Sequence, residues 1–198
     1  MKSQKPFIII IITILLGGGS YFVFIPKSLQ DNKQDINQET IPYDRNDYGR
    51  WSDDDKDCQN TRHEILIRAS SSPVAFKTEK NCLVILGTWL GAYTNTSFNK
   101  TSQLDIDHII PLKEAHISGA SKWENKAKNK FFNDLDNLIP VSRSANRSKG
   151  SKDPASWLPA NKAFHCSYIQ KWVAIKKKYD LDYDAKEQAA INNILMDC

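Results

Sequence analysis

The chain has 198 residues, which leaves room for one folded domain with a core of its own. Hydrophobic residues make up 40% of it and charged residues 25%, the balance of an ordinary globular protein rather than of a disordered chain. The formal net charge of +4 is too small to establish a polyanionic partner by itself.

The N-terminus carries an apolar run that predicts a targeting segment. Lys2 and Lys5 precede apolar residues 7–16, a pattern typical of a signal peptide that is cleaved near the glycines that follow. Residues 7–25 together are also just long enough to span a bilayer as an uncleaved anchor. Because no clear A-x-A-like cleavage site is present, a signal anchor over residues 1–26 is favoured, with a signal peptide as the alternative. Either segment would place the protein outside the cytoplasm, membrane-anchored or secreted.

The next stretch, residues 27–42, is polar and rich in Asn, Gln and Asp. Such a composition predicts a flexible linker, because it offers little apolar surface to bury. The folded domain is therefore expected over residues 43–198.

The four cysteines predict disulfides. None lies in a C-x-x-C pair, so a structural zinc site is weakly supported, and an exported chain favours two disulfides. Three pairings are possible. Cys58 and Cys82 flank a predicted helix, and Cys166 and Cys198 lie on the last two helical patterns, so these two pairs are favoured.

Hydrophobic periodicity and capping residues predict the elements of the domain. The predicted strands cover residues 83–86, 89–93, 104–110 and 137–141. The predicted helices cover residues 61–69 with Thr61 as the cap, 111–117, 123–132, 142–150, 161–179 and a last helix capped by Asp184. Because strands and helices do not alternate as in a parallel α/β sheet, an α+β fold is predicted.

Basic residues are concentrated in the second half of the domain. Residues 142–178 contain nine Lys and Arg against a single acid, whereas acids exceed bases over residues 31–57. A basic half suits a phosphate-rich substrate. A solvated helix face explains the lysines of residues 171–178 equally well.

Two polar stretches carry the chemistry: L-D-I-D-H-I-I-P-L at residues 104–112 and N-L-I-P-V-S-R-S-A-N-R-S-K-G at residues 137–150. Phosphodiester hydrolysis needs a base for water and a cation for the phosphate oxygens. Asp107 and Asn146 offer the oxygen ligands that hard cations prefer, and the unperturbed pKa of His108 lies near neutrality. A simple pleat directs Asp107 and His108 to opposite faces, so they converge only where the strand ends or bulges.

Together the two stretches resemble the HNH, or ββα-metal, nuclease motif. The wider pattern is similar to HNH nucleases related to the C-terminal domain of GmrSD-type restriction enzymes. This wider pattern includes Y-D-R at residues 43–45, C-Q-N-T-R at 58–62, G-T-W at 87–89, P-L-K-E-A-H-I-S-G-A at 111–120, D-P-A-S-W-L-P at 153–159 and the final E-Q-A-A-I-N-N-I-L-M-D-C. The resemblance implies a ββα-metal core with surrounding helices and a metal-dependent endonuclease acting on nucleic acid, with DNA favoured over RNA.

The resemblance also implies roles for individual residues. His108 is the general base for water, and Asp107 and Asn146 are the metal ligands. A ligand pair of Asp and Asn favours Mg²⁺ or Mn²⁺ over Zn²⁺ or Ni²⁺. Asn137 shapes the loop after the first strand and orients His108, and thus counts among the catalytic residues.

Three further residues are placed around this set. Arg147 and Lys149 are expected to contact substrate phosphate. Asp105 lies two residues before Asp107, on the same face of the strand, and is a candidate to support the ligands.

His63, His116 and His165 have no place in the motif and are interpreted as structural or exposed. Trp89, Trp123, Trp157 and Trp172 are expected in the core.

Simpler interpretations remain for each feature. His108 alone would be taken as a structural strand residue, Asn146 as a helix cap and Asn137 as a turn residue. A non-catalytic nucleic-acid-binding module at the cell surface is the alternative function, and a secreted disulfide scaffold is a third. No obligate protein partner is evident from the sequence.

Overall fold

The computed structural model describes residues 13–16, 19–22 and 41–198. The chain divides into two compact units, Met1–Thr40 and Ile41–Cys198. In the first unit, β1 (Thr13–Leu16) pairs antiparallel with β2 (Gly19–Phe22). These parts of the predicted N-terminal segment are therefore strands, whereas the rest of residues 1–26 and residues 27–40 of the predicted linker lie outside the described residues. Within the described ranges, no helix is long and apolar enough to cross a membrane.

The second unit mixes helices with small antiparallel sheets, which confirms the α+β prediction. Its helices are α1 (Thr61–Ala69), α2 (Leu112–Ile117), α3 (Asn125–Phe132), α4 (Arg143–Lys149), α5 (His165–Lys178) and α6 (Ala185–Met196). Its strands are β3 (Ala75–Phe76), β4 (Val84–Gly91), β5 (Thr96–Lys100), β6 (Leu104–His108) and β7 (Leu138–Ser142). Short 3-10 turns lie at Arg45–Tyr48, Thr101–Gln103, Ala120–Lys122, Leu135–Asn137 and Lys162–Phe164.

The sheet β3-β4-β5 differs from the predicted hairpin. Separate strands were expected over residues 83–86 and 89–93, but β4 continues through Gly87, and it pairs with β5, which was not predicted as a strand. Gly87 is needed here for close packing, because a Cβ atom would lie 2.6 Å from the Trp89 ring and 2.9 Å from Ser70 Oγ. A glycine in a strand therefore marks a tight approach rather than a turn.

The second sheet carries both polar stretches. Strands β6 and β7 pair antiparallel in regular register, with Asp107 opposite Ile139 and His108 opposite Leu138. Helix α4 follows β7 directly, and α2 and α3 lie between the two strands in sequence. Strand β6 ends at His108, two residues before the predicted end. The result is a β-β-α unit made of β6, β7 and α4.

Side-chain caps explain where several helices begin. Ser142 Oγ accepts the Ala145 N–H at the start of α4, and Asp184 accepts the N–H groups of Lys186 and Glu187 at the start of α6. The cap of α1 is Asn60 rather than the predicted Thr61, because the Asn60 side chain accepts the His63 N–H. An N-cap side chain of this kind satisfies an N–H group that has no partner within the helix.

Two clusters of buried apolar side chains lie on either side of the β6–β7 pair. One contains Leu104, Ile106 and Trp89, and the other contains Val141 and Trp172. Trp89 and Trp172 are fully buried, as expected for core residues. Trp123 and Trp157 are only partly buried at the edge of the second cluster, so the core expectation was too strong for them.

Both favoured disulfides are present. Cys58 is bonded to Cys82 and Cys166 to Cys198. The second bridge links the start of α5 to the last residue of the chain, beyond the end of α6.

Candidate active site

The polar side chains of β6 divide between its two faces. Asp105 and Asp107 contact residues of α4, whereas His108 packs against Trp51 and Phe132. Because the pairing with β7 is regular up to His108, the pleat sends Asp107 and His108 to opposite sides, as the sequence predicted. The two side chains are the last two of the strand, so both border its C-terminal end.

Asp107 is buried and held by two donors. Its Oδ2 accepts hydrogen bonds from the Tyr93 hydroxyl and from Lys149 Nζ, both at 2.8 Å. Only 7% of the residue is exposed, and burial raises the pKa of the carboxyl group while Lys149 opposes that rise. Tyr93 and Lys149 therefore stabilise the ionised form of Asp107.

The position of Lys149 corrects a sequence-based expectation. Its side chain is fully buried, with Nζ 2.8 Å from Asp107 Oδ2 and 2.7 Å from the His108 carbonyl oxygen. Through these two contacts Lys149 stabilises the end of strand β6. Because its side chain is buried, it is not placed to contact substrate phosphate. Arg147 on the same helix is exposed, as a phosphate-binding residue must be.

Asn146 faces β6 from the first turns of α4. Its Nδ2 donates a hydrogen bond to Asp105 Oδ2 at 3.1 Å, and Arg143 Nε lies 3.6 Å from the other oxygen of Asp105. No described residue donates a hydrogen bond to Asn146 Oδ1. Asp105 therefore orients the Asn146 amide and leaves its oxygen available as a ligand, which fits the supporting position predicted for Asp105.

The surroundings of His108 select one tautomer. Its Nε2 lies 2.8 Å from the Phe132 carbonyl oxygen, which can only accept, so Nε2 carries the proton and Nδ1 carries the lone pair. No described residue hydrogen-bonds to Nδ1. Burial, with smaller effects of the charges of Arg45 and Lys149, lowers the pKa of His108 to about 3 against the opposing effect of the Phe132 hydrogen bond. The ring is therefore neutral at pH 7, and the lone pair of its Nδ1 has no hydrogen-bond donor among the described residues.

Aromatic rings hold His108 in place. The Trp51 ring stacks on it, with centroids 5.7 Å apart and 5° between the planes. The Phe132 ring packs against it at 4.9 Å and against Trp51 at 4.7 Å. Because three rings contact one another, the imidazole has little freedom to rotate.

Asn137 forms hydrogen bonds with the backbone that follows His108. It is fully buried, its Oδ1 accepts the Ile110 N–H at 2.8 Å, and its Nδ2 donates to the Ile110 carbonyl oxygen at 3.3 Å. It therefore shapes the chain after β6, as expected for that loop. The His108 ring donates its hydrogen bond to the Phe132 carbonyl oxygen and makes none with Asn137.

The remaining histidines are structural. His63 Nδ1 accepts the Val84 N–H at 3.1 Å, His116 Nε2 bonds the Ile41 carbonyl oxygen at 2.8 Å, and His165 Nε2 bonds the Pro159 carbonyl oxygen at 2.7 Å. This matches the interpretation from sequence.

The basic half of the domain is less exposed than its composition suggests. Besides Lys149, Lys176 is fully buried, with Nζ 2.9 Å from Glu114 Oε1 and 2.6 Å from Glu187 Oε2. Lys178 pairs with Asp134 at 2.8 Å. Several of the nine basic side chains therefore neutralise internal or neighbouring carboxylates, which reduces the cationic surface.

Sequence reasoning missed three residues of this site. Tyr93 was placed in a strand and Phe132 at a helix end, and Trp51 was given no role, yet all three contact Asp107 or His108. The aromatic character of Tyr93 and Trp51 was the only local signal, and it does not distinguish a site residue from a core residue.

The donor set fits a hard divalent cation. Asp107 offers a carboxylate and Asn146 an amide oxygen, from a strand and a helix that pack together. Mg²⁺ and Mn²⁺ take oxygen ligands and retain several waters, so two protein ligands suffice. The cysteines of the described residues are all in disulfides, which leaves no thiolate there to favour zinc.

Comparison with known proteins gives one family and one relative. The family described as GmrSD restriction endonucleases, C-terminal domain, matches residues 60–194. An "Uncharacterized secreted protein" of Arthroderma benhamiae (strain ATCC MYA-4681 / CBS 112371) is 32% identical over 158 residues, which are 79% of this chain and 76% of that protein. No solved structure matches the chain.

Proposed function

The chain belongs to the family of GmrSD restriction endonuclease C-terminal domains, and on that premise we propose that it is a metal-dependent HNH endonuclease. The observation that carries the proposal is the neutral His108 with its free Nδ1, at the end of the strand that also presents Asp107. The β6-β7-α4 unit is consistent with a ββα-metal core. The substrate is nucleic acid, with DNA favoured over RNA.

In this proposal each residue has one task. His108 Nδ1 takes a proton from the attacking water, while the Phe132 carbonyl group holds the proton on Nε2. Asp107 and Asn146 would hold Mg²⁺ or Mn²⁺. The bound cation would neutralise charge on the phosphate oxygens and the leaving oxygen. The side chains of Asp107 and His108 project from opposite faces of β6. The scissile phosphate therefore has to lie at the C-terminal end of the strand, which both side chains border.

The site is expected to work outside the cytoplasm. Two disulfides are typical of an oxidising compartment, and the relative from Arthroderma benhamiae is named as a secreted protein. Foreign or extracellular nucleic acid is then the available substrate. The N-terminal apolar segment, as an anchor or as a cleaved signal, would supply the export.

The test is a cleavage assay on the purified full-length chain. Supercoiled plasmid, linear duplex DNA, single-stranded DNA and RNA are each incubated with Mg²⁺, Mn²⁺ or EDTA. A positioned base contributes about 10²–10⁴-fold, so His108→Ala is expected to lose that factor while His165→Ala, the matched histidine control, keeps wild-type activity. Equal rates for wild type and His108→Ala would reject the assignment.

Metal binding is tested separately by calorimetric titration with Mn²⁺. Asp107→Asn and Asn146→Ala are expected to weaken binding, whereas Arg147→Gln is expected to leave it unchanged. DNA binding that persists in EDTA, without cleavage under any condition, would instead support the non-catalytic nucleic-acid-binding module.

A further inference from the structure

A segment outside the family match completes the surroundings of His108. The match begins at residue 60, whereas Trp51 and the 3-10 turn Arg45–Tyr48 precede it. This turn packs against α3, the helix that ends at Phe132. Trp51 stacks on His108, so the segment of residues 43–51 forms one side of the candidate site.

Arg45 is the cationic residue of this segment that lies next to the site. Its guanidinium carbon is 5.5 Å from the centre of the Phe132 ring, and that ring is 4.9 Å from the His108 ring. The same residue, Phe132, supplies the carbonyl oxygen that bonds His108. Arg45 and the proposed base therefore both lie next to the same phenyl ring.

Arg45 makes no ion pair within the described part of the protein. The residue is exposed. The neighbouring Asp44 instead uses its carboxylate to accept the Asn46 N–H at 2.8 Å. By contrast, Lys149, the cation closest to Asp107, is fully buried in its internal pair.

We propose that Arg45 binds a phosphate of the nucleic-acid substrate beside His108. The inference rests on the proposed function for its substrate class. A guanidinium group presents a planar fork of N–H donors that matches two phosphate oxygens, and the guanidinium carbon of Arg45 lies 5.5 Å from the centre of the Phe132 ring, within reach of a cation–π contact. Arg45 thus takes the phosphate-binding position that the sequence had assigned to Lys149.

The test compares Arg45→Gln, Arg45→Lys and Arg50→Gln in the full-length protein. Arg50 is an exposed arginine of the same segment, and only its backbone oxygen is used, by Asn133 Nδ2 at 3.0 Å, so it controls for loss of one positive charge. Far-UV circular dichroism and thermal melting verify that each variant is folded.

Cleavage kinetics give the first measurement. A charge-assisted hydrogen bond contributes about 1.5–3 kcal/mol, so kcat/KM is expected to fall roughly 10- to 100-fold in Arg45→Gln. Arg45→Lys is expected to recover part of the loss, because a lysine keeps the charge without the fork. Arg50→Gln is expected to stay near wild type.

Binding gives a second measurement that does not depend on cleavage. Each variant is combined with His108→Ala, and the Kd for a fluorescein-labelled DNA duplex is measured by anisotropy from low to high salt. Loss of one phosphate contact should weaken binding and reduce the slope of log Kd against log salt by about one. The variant that combines Arg50→Gln with His108→Ala should keep the slope that His108→Ala alone shows.

The outcomes separate the two proposals. Equal Kd values and equal salt slopes for the Arg45→Gln and Arg50→Gln combinations would overturn the role of Arg45, whatever the cleavage result. Absence of cleavage by the wild type with every metal would overturn the proposed function, and a binding defect confined to Arg45→Gln would still leave the phosphate contact standing.

Discussion

Lys149 Nζ lies 2.8 Å from Asp107 Oδ2, and both side chains are buried. The same nitrogen is 2.7 Å from the carbonyl oxygen of His108. One buried ammonium group therefore ties α4 to the last two residues of β6, where the proposed ligand and the proposed base follow each other.

The first prediction concerns this pair. Lys149→Met leaves Asp107 buried without its cation, and breaking a buried ion pair in this way costs about 3–5 kcal/mol. Urea unfolding of Lys149→Met is expected to show a loss of that order, whereas Lys152→Met, an exposed lysine three residues on, should stay close to wild type. Adding Asp107→Asn to Lys149→Met should restore part of the stability. A double variant no more stable than Lys149→Met alone would show that the charge of Asp107 is not the cause.

The second prediction concerns Asn137. Asn137→Ala leaves the N–H and carbonyl groups of the fully buried Ile110 without partners, at about 1–3 kcal/mol for each group. Thermal and urea unfolding should therefore show a loss of roughly 2–6 kcal/mol. The exposed Asn192, whose side chain bonds only Gln188, provides the matched control in Asn192→Ala. An equal loss of stability in Asn137→Ala and Asn192→Ala would contradict a stabilising role of the two hydrogen bonds between Asn137 and the Ile110 backbone.

The third prediction is a pH dependence from His63. Its Nδ1 accepts the Val84 N–H, and burial, with a smaller effect of Arg62, lowers its pKa in the folded state. The unfolded chain then binds more protons than the folded chain near its ordinary pKa of 6.5. The stability from His63 is present above about pH 6.5 and is lost as the pH falls toward the lower folded value.

This dependence is measured by urea unfolding of wild type and His63→Gln from pH 8 to 5. The difference in unfolding free energy between the two should shrink as the pH falls, because only the histidine can be protonated. A difference that is constant over this range would show that the His63 hydrogen bond is not linked to a proton. The contributions of the other titratable groups to the pH dependence cancel in the comparison, because both proteins carry these groups.

The fourth prediction concerns the Cys166–Cys198 bridge. It joins residues 32 apart in sequence, and a loop of that length corresponds to about 3–4 kcal/mol from the entropy of the unfolded chain. Cys166→Ser with Cys198→Ser should lower stability by that order and increase amide exchange in α6. Cys58→Ser with Cys82→Ser should leave α6 exchange unchanged. Faster exchange of α6 in both double variants would indicate general loosening instead of release of the C-terminus.

Much of the local structure was predictable because its causes are local. Ser142 and Asp184 cap helices through bonds to residues two or three positions away, and the pleat alone separates Asp107 from His108. Gly87 misled the prediction, because a glycine that permits the Trp89 ring to approach has the same sequence signature as one that turns the chain.

The sequence by itself determined the α+β class, the β6-β7-α4 unit and the positions of Asp107, His108 and Asn146, because these depend on periodicity, capping and a contiguous motif. Only the tertiary structure decided which partner each of them has. Lys149 lies 42 residues from Asp107, and Trp51 lies 57 residues before His108. No periodic pattern connects residues so far apart, and the burial of a lysine depends on the packing of a whole helix on a strand. For that reason Lys149 was expected at the surface and is found inside, and Arg45 becomes a candidate only once Phe132 and His108 are seen together.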